Sequence, residues 1–481
     1  MRRGTKRVLL PKLDPRGESP LYVQIYAHIK HDIISGKLPE RSRLPSIRKL
    51  ADFLGISTTP VELAYNQLVA EGFIESRPRS GFVVQDLPDP YGRVGSVSPL
   101  ALESGGIREE RAYRYDFHLS KNDFRPFPFS LWRRLINQTL REDKQQLLFY
   151  GDPQGEAGLR KEIAHYLYQF RGVRCSPDQI VIGSEQYHLL SMLSLLLREH
   201  VASIGVENPG YPLLPAAFRQ QGFQVVPIPL ADDGLDIGAL CDAPVRLVAV
   251  SPSHQFPRGM IMPIAKRLRL LEWANDVDGF IIEDDYDGEF RYHGRPAPAL
   301  QGLLPTDRVI YLGGFSQAVA PALGIHYLVL PKRLLEGYYR LYDQTLFEQS
   351  SSRLLQHAFM LFMQAGYLGK HVRKMRNLYR KKHDRLVQAV QRHFQEKAEV
   401  IGKDAGFHVL LRVHSPRTEK ELLQLAKDAG IRIASAAFTW HQPPAEERKE
   451  FFLGFGGIEM ENIEEGIVRL KEAWFGAEGT G

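Results

Sequence analysis

From Asp116 onward the chain repeats one pattern: a short apolar, largely β-branched run, then a longer stretch with helical spacing. The runs are QIVIG (179–183), ASIGVE (202–207), QVVPI (224–228), RLVAVS (246–251), GFIIED (279–284), RVIYLG (308–313) and HYLVLP (326–331). A strand that is apolar on both faces must be covered on both, which is the situation of strands joined by crossover helices. The pattern predicts an α/β body with a mostly parallel central sheet. Such sheets place ligands at the carboxyl ends of their strands, so the residues just past each run are the candidates for chemistry.

The residues before this body differ in charge. Lys and Arg number 62 and Asp and Glu 56 in the 481-residue chain, and residues 1–85 alone hold 14 of the former against 8 of the latter. The remaining residues hold 48 of each. One short segment thus carries the whole net charge of +6, the footprint of a small polyanion-binding module joined to a neutral body. Two cysteines, Cys175 and Cys241, are too few for a disulfide framework and read as unreactive thiols in a reducing cytoplasm. The basic start MRRGTKRVLLP has too short an apolar stretch for a signal peptide. The longest apolar run, around 189–197, is too short to cross a bilayer, so no membrane association is expected.

Within the basic segment, Leu21 to Ile34 has amphipathic spacing, with Tyr22, Ile25, Ile29 and Ile33 on one stripe. A second helix is predicted from the N-cap Ser46 to before Gly55, with Leu50, Ala51 and Leu54 inward. A third follows the N-cap Ser57, carries Val61, Ala64, Tyr65 and Leu68 on one face, and stops at Gly72. Pro60 falls in its first turn, where the backbone N–H is unpaired in any case. Strands Phe73–Arg77 and Phe82–Val84 flank the turn Pro78-Arg79-Ser80-Gly81. Three helices and a hairpin describe a winged helix-turn-helix, whose third helix enters the major groove of double-stranded operator DNA. Ser57, Thr58 and Thr59 then reach base edges and phosphates, Arg43, Ser46 and Arg48 lie near the backbone, and Arg77, Arg79, Ser80 and Gly81 form the wing. A basic helical bundle serving protein contacts is the competing reading.

The stretches PLYVQIYAHI, RLPSIRKLADFLGIS and AYNQLVAEGFIESRPRSGFVV resemble the GntR-type DNA-binding domain over about residues 18–86. The family usually has Arg and Thr where this chain has Thr58 and Pro60, which implies an atypical operator. Residues 87–115 are rich in Pro, Gly, Ser and charge without periodicity and read as a linker.

At the strand ends of the body stand Ser184-Glu185-Gln186 opening a helix, the turn Glu207 to Pro212 with Tyr211, the segment Pro252 to Pro257 with His254, and Asp284-Asp285-Tyr286. A helix N-terminus of the first kind suits an anion. With YGDPQGEAGLR (150–160) and GGFSQAVAPALGIHYLVLP (313–331), residues 116–475 resemble a fold-type I aminotransferase dependent on pyridoxal 5'-phosphate (PLP). The whole chain therefore resembles the MocR/GabR family of bacterial transcriptional regulators. That resemblance implies effector sensing through a PLP site, and head-to-tail homodimers in which each DNA-binding domain crosses to its partner.

PLP needs a lysine for its covalent link, an acid for the ring nitrogen and a phosphate cup. The resemblance places Asp284 at the ring nitrogen, Tyr286 at the ring hydroxyl and Tyr211 over the ring face. It also places Gln317, just past Ser316, where the family has the lysine, and an amide forms no imine. Gly324 stands for the phosphate-binding arginine, Gly314 for a hydroxyl donor, His326 for a glycine, Glu185 for a neutral Gln and Phe452 for the arginine that holds a substrate carboxylate. Each lost charge-assisted hydrogen bond weakens binding by about 1.5–3 kcal/mol, so covalent PLP is expected to be absent and non-covalent PLP disfavoured. His254 and His188 read as packed or hydrogen-bonded residues, and the adjacent acids Asp284 and Asp285 point apart rather than towards one metal. The leading expectation is a cytoplasmic, DNA-binding regulator whose body dimerises, senses a small molecule and catalyses nothing. A PLP-dependent aminotransferase and a regulator with non-covalent PLP are the alternatives.

Overall fold

The computed structural model describes residues 13–14, 19–78, 81–86, 113–292, 296–345, 351–403, 405–444 and 448–476, in two compact units that divide after Arg111. The wing-tip residues Arg79 and Ser80 and most of the expected linker, 87–112, lie outside the described residues.

The first unit contains α1 (Leu21–Ile34), α2 (Ile47–Leu54), α3 (Thr58–Ala70) and the antiparallel pair β1 (Ile74–Arg77) and β2 (Gly81–Val84). Ser46 starts α2 by accepting from the Lys49 amide at 3.3 Å, and Gly55 stops it in the left-handed conformation at φ +66°. Only Ile56 and Ser57 then precede α3. Ile25, Ile29, Leu50, Val61, Tyr65, Leu68, Ile74 and Val84 form the core of this unit. The Tyr65 hydroxyl donates to the Pro45 carbonyl at 3.0 Å, tying α3 to the residue before the α2 cap. One assignment is corrected. Tyr22 is exposed, because the buried stripe of α1 starts a turn later, at Ile25, and runs through Ile29 and Ile33.

The second unit opens with β3 (Tyr115–Asp116), α4 (Phe129–Thr139), α5 (Ala157–Arg171), β4 (Ile180–Gly183), α6 (Gln186–Leu197), β5 (Ser203–Asn208), α7 (Leu213–Gln220), β6 (Gln224–Ala231) and β7 (Gly234–Leu235). It continues with α8 (Ile237–Asp242), β8 (Leu247–Val250), α9 (Ile264–Asp276), β9 (Phe280–Asp285), β10 (Val309–Gly314), β11 (His326–Val329), α10 (Lys332–Thr345), α11 (Arg353–Gln364) and α12 (Tyr367–Phe394). Eight strands form one sheet in the order β4-β11-β10-β9-β8-β5-β6-β7. The central pairs β10/β9, β9/β8, β8/β5 and β5/β6 are parallel, whereas β11 is antiparallel to both its neighbours and β7 to β6. Both faces are apolar, as the runs required. In β9, Phe280 and Ile282 enter one core cluster and Ile281 another on the opposite face.

The remainder is β12 (Ala398–Ile401), β13 (His408–Val413), α13 (Glu419–Asp428), β14 (Ile431–Arg432), β15 (Ala434–Ser435), β16 (Glu450–Gly454) and α14 (Asn462–Phe475). Here an antiparallel sheet, β12-β13-β16-β15, packs with the long α12 and with α14, an arrangement that the apolar runs do not indicate. No helix among the described residues is long and apolar enough to cross a membrane.

Buried charge concentrates where α5 meets β9. Arg171, the last residue of α5, donates from Nε to the Asp285 carboxylate at 2.6 Å and from a guanidinium nitrogen to Ser253 Oγ at 2.8 Å. Both ionic partners are almost fully buried, and the Tyr311 hydroxyl donates to the same carboxylate. Removing one member of a buried pair leaves an uncompensated charge, so Arg171→Met is expected to lower unfolding free energy by about 3–5 kcal/mol. Urea unfolding at neutral pH measures it; a loss below about 1 kcal/mol would show that the acid is neutralised by other means.

Candidate functional site

The first candidate is the surface of the first unit. Arg43, Ser46, Arg48, Ser57, Thr58, Thr59, Arg77 and Gly81 are all exposed. The short α2–α3 connection brings the Ser46 cap and the first turn of α3 into one small helix-turn-helix, and Arg43 bridges to Val83 of the hairpin. Arg43 and Arg48 form no ion pair among the described residues, so their charge is available to an anion. Arg77 differs: its Nε donates to Glu75, two residues back on the same strand, and that pairing reduces what it offers to a phosphate.

The second candidate is a cavity of about 340 Å³ at the carboxyl ends of β9 and β10. Asp284 stands on β9 opposite Leu312 of β10, and both line the space. β9 runs on through Asp285, one residue beyond the run 279–284, so both acids lie inside the strand. Successive side chains of a strand face opposite ways. Asp284 therefore faces the cavity while Asp285 turns to Arg171 and Tyr311. Tyr211 stands edge-on to Phe256 with ring centres 5.5 Å apart. Tyr286 reaches His254 with its hydroxyl at 3.0 Å, and His254 bonds Asp287 at 2.9 Å.

Ser316 and Gln317 complete the wall beyond β10. Asn122 donates to the Gln317 side-chain carbonyl at 3.1 Å. His326 opposes Gly314 across the β10/β11 ladder, and its Nε2 lies 2.8 Å from Ser316 Oγ. A Cβ on Gly314 would stand 2.6 Å from His326 Nδ1, so the imidazole fills the space that a side chain at 314 would need. Gly324 is left-handed at φ +57°, a backbone that strains any side chain.

Of the residues expected here, Tyr211, Asp284, Tyr286, Ser316 and Gln317 line the cavity together. Ser184 and Glu185 do not line it, and Glu185 is exposed as the N-cap of α6; the next residue, Gln186, takes the wall position. His254 is buried one layer behind, through Asp287 and Tyr286. His188 is exposed rather than packed, being on the outer side of α6. Phe452 lies in the core, stacked on Phe256 at 5.5 Å. Sequence reading missed His118, Asp287, Phe407, His408 and Phe438, which also line the cavity. Asp287 comes from the turn just past β9, His118 from the first loop, and Phe407, His408 and Phe438 from the antiparallel sheet and its connections, where no strand-end pattern points. Among the described residues, no lysine or arginine lines the cavity.

The electrostatics are those of buried acids without free cations. Burial, reinforced by Asp285 and Asp287, pushes Asp284 up to about 7, and a Gln186 hydrogen bond offsets only part of this. Glu207, beneath Tyr211, is pushed up to about 8 by burial despite bonds from the Ser251 amide at 3.2 Å and from Gln255. Glu283 is pushed up to about 7 by burial while accepting from the Leu300 and Gln301 amides at 2.7 and 2.9 Å. Among the histidines, burial lowers His326 and takes His408 down to about 3. Both are neutral near pH 7.

Comparison with known proteins divides the chain in the same place. Residues 21–84 match the bacterial regulatory proteins of the gntR family, and residues 116–444 match aminotransferase class I and II. YdeL of Bacillus subtilis, an HTH-type transcriptional regulator, is 41% identical over 97% of this chain and 99% of its own. The probable rhizopine catabolism regulatory protein MocR of Rhizobium meliloti is 33% identical over 98% of this chain and 97% of its own. A kynurenine aminotransferase from Pyrococcus horikoshii superposes with a TM-score of 0.67 over 76% of this chain and 91% of its own, at 24% identity, which establishes the shared fold.

A raised carboxyl means that the folded state holds a proton the unfolded chain has lost. Between about pH 4, the unfolded carboxylate value, and about 7, Asp284 makes stability fall as pH rises. Asp284→Asn removes that term. Its melting temperature relative to the parent is expected to rise between pH 5 and pH 8, by several degrees for each kcal/mol recovered. His408 contributes the opposite slope, but equally in both proteins, so the difference isolates Asp284. A difference that is flat with pH would contradict the buried, protonated acid.

Proposed function

The chain belongs to the MocR-type regulators, in which a gntR-family DNA-binding domain precedes an aminotransferase class I and II domain, and from that premise we propose that its body senses a small molecule without covalent PLP and performs no transamination. The domains would be 18–86 for DNA, 87–115 as linker and 116–475 as the regulatory body. The observation that carries the reading is the charge of the cavity: PLP is the cofactor of this fold and a dianion, yet among the described residues no lysine or arginine faces it. Gln317 holds the lysine's place as an amide engaged by Asn122. His326 occupies the cup beside Ser316, and Gly324 has a backbone that disfavours an arginine. Asp284, Tyr211 and Tyr286 remain where a ring would lie. The residues present therefore do not fit the phosphorylated cofactor, and no catalytic step is assigned to it.

Dimerisation is supported by an apolar surface. Phe129, Leu140, Leu148, Phe149 and Tyr150 are 57–83% exposed within 22 residues of chain. Apolar groups so concentrated on a soluble protein mark a contact surface, and a second copy related by twofold symmetry is the commonest partner. The head-to-tail exchange of DNA-binding domains and a cytoplasmic location complete the proposal.

On operator DNA, Arg48→Ala should weaken binding across sequences and reduce the slope of log affinity against log salt by about one. Deleting residues 18–86 should abolish binding, and undiminished binding by the deleted chain would refute the assignment. The purified protein supplied with PLP should develop no visible absorbance band that borohydride discharges. Such a band would restore the enzyme reading.

A further inference from the structure

The body is neutral as a whole, but one of its helices is not. In its 28 residues α12 holds nine Lys and Arg against a single acid, Asp384, a net of +8. Since residues 86–481 sum to zero, the rest of the body carries an excess of eight acids. The apolar stripe of α12 accounts for its place in the fold, with Leu368, Met375, Tyr379, Leu386 and Val390 buried. It does not account for the charge. A helix face that merely stays in water interleaves signs, because opposite charges three or four residues apart stabilise it and like charges there destabilise it. On α12, Lys370 and Lys374 are like charges four apart, and so are Lys381 and Arg385. α13 shows the usual mixture, with Glu419, Lys420, Glu421, Lys427 and Asp428.

The partners of these cations separate those with a structural task from those without one. Lys382 is fully buried and donates to Asp123 at 2.9 Å, and Arg376 donates to the Glu289 carbonyl at 2.7 Å. Arg385 and Arg392 reach Glu464 of α14 at 2.9 and 2.6 Å. Lys370 rests over the Tyr367 ring. Arg373, Lys374, Arg380 and Lys381 are exposed and form no ion pair among the described residues. At about 100° of turn per residue these four fall within an arc of about 120°, as two pairs about 10 Å apart along the axis. Asn377, also exposed, lies between the pairs and adds an amide donor.

A row of unpaired cations with an amide between them suits a polyanion. Among the described residues no large apolar side chain of this helix is exposed, so nothing on it would enter a bilayer. The polyanion that the chain itself brings is DNA, through its gntR-family module. A body joined to that module on one chain meets nearby phosphates at high effective concentration, so contacts that are weak alone add to the whole.

We infer that this face of α12 is a second DNA surface, which holds phosphates of the duplex beside the stretch gripped by the first unit. Contacts of this kind add affinity and position the protein without reading sequence. The inference rests on the reading of the chain as a DNA-binding regulator and places part of the DNA contact in the body.

The test is the salt dependence of binding of the full-length protein to a long random-sequence duplex, followed by fluorescence anisotropy. Arg373→Gln, Lys374→Gln, Arg380→Gln and Lys381→Gln combined keep helix propensity and relieve the like charges. They should lower the slope of log affinity against log salt by about two to four and weaken binding at least about tenfold near physiological salt. Arg373→Gln with Lys374→Gln alone, a smaller disturbance, should give about half the change in slope. Lys161→Gln, Arg269→Gln, Lys420→Gln and Lys427→Gln combined remove the same charge from α5, α9 and α13 and should change the slope by less than about one. The inference is overturned if the α12 variants keep the parent's slope, or if the scattered variant loses as much. It is also overturned if the α12 variants lose binding to phosphatidylglycerol vesicles but not to the duplex, which would give the face to a membrane. Arg48→Ala in the same assay separates the two claims. A loss with Arg48→Ala and none with the α12 variants removes this surface and leaves the regulator. The reverse leaves the surface and removes the assignment of DNA binding to the first unit.

Discussion

The body is organised around the buried pairing of Arg171 with Asp285. β9 and the turn after it carry Glu283, Asp284, Asp285, Asp287 and Glu289 within seven residues, a density of acid that a sheet centre cannot hold unaided. Arg171 meets Asp285 from the end of α5, where a positive charge is also favoured by the helix dipole. Glu283 is satisfied by two backbone amides, Asp287 by His254 and Glu289 by the Tyr166 hydroxyl at 2.7 Å. What remains is Asp284, the one acid of the strand left facing open space. The character of the cavity thus follows from how the other four are neutralised.

Much of this was legible in advance for a simple reason. Parallel strands buried on both faces leave continuous apolar runs, and helix caps leave Ser and Gly at fixed offsets, so β5, β8, β9, β10 and the α2–α3 connection could be read directly. The antiparallel sheet β12-β13-β16-β15 could not. Its strands alternate with short loops and carry charged residues such as Arg412 and Glu450, whose mutual pairing at 3.0 Å is visible only in three dimensions. Three of the lining residues that were missed, Phe407, His408 and Phe438, come from this region.

The site itself was half legible. Strand-end logic found Asp284 and Tyr211, because the fold dictates where such positions fall, and the family resemblance placed Gln317. It misjudged Ser184 and Glu185 by one residue, since the helix cap turns Glu185 outward and only Gln186 inward. It set His254 among the strand-end residues and read it as packed or hydrogen-bonded, but nothing in the spacing reveals that the partners are Asp287 and Tyr286, which hold the imidazole behind the wall. His326 shows the limit most clearly. As a letter it replaces a glycine, but its effect lies in the ladder register that sets its ring against Gly314.

That register couples substitutions at facing positions. The imidazole of His326 requires the missing side chain at Gly314, since a Cβ there would stand 2.6 Å from its Nδ1. A lysine arriving at 317 would meet a cup already filled and, at 324, a backbone twist hostile to arginine. Anion-binding side chains at 314 and 324 would therefore each need a further change nearby, at 326 and in the backbone at 324. Substitutions along this ladder are therefore expected to act in combination, the effect of one at 314 depending on which residue stands at 326.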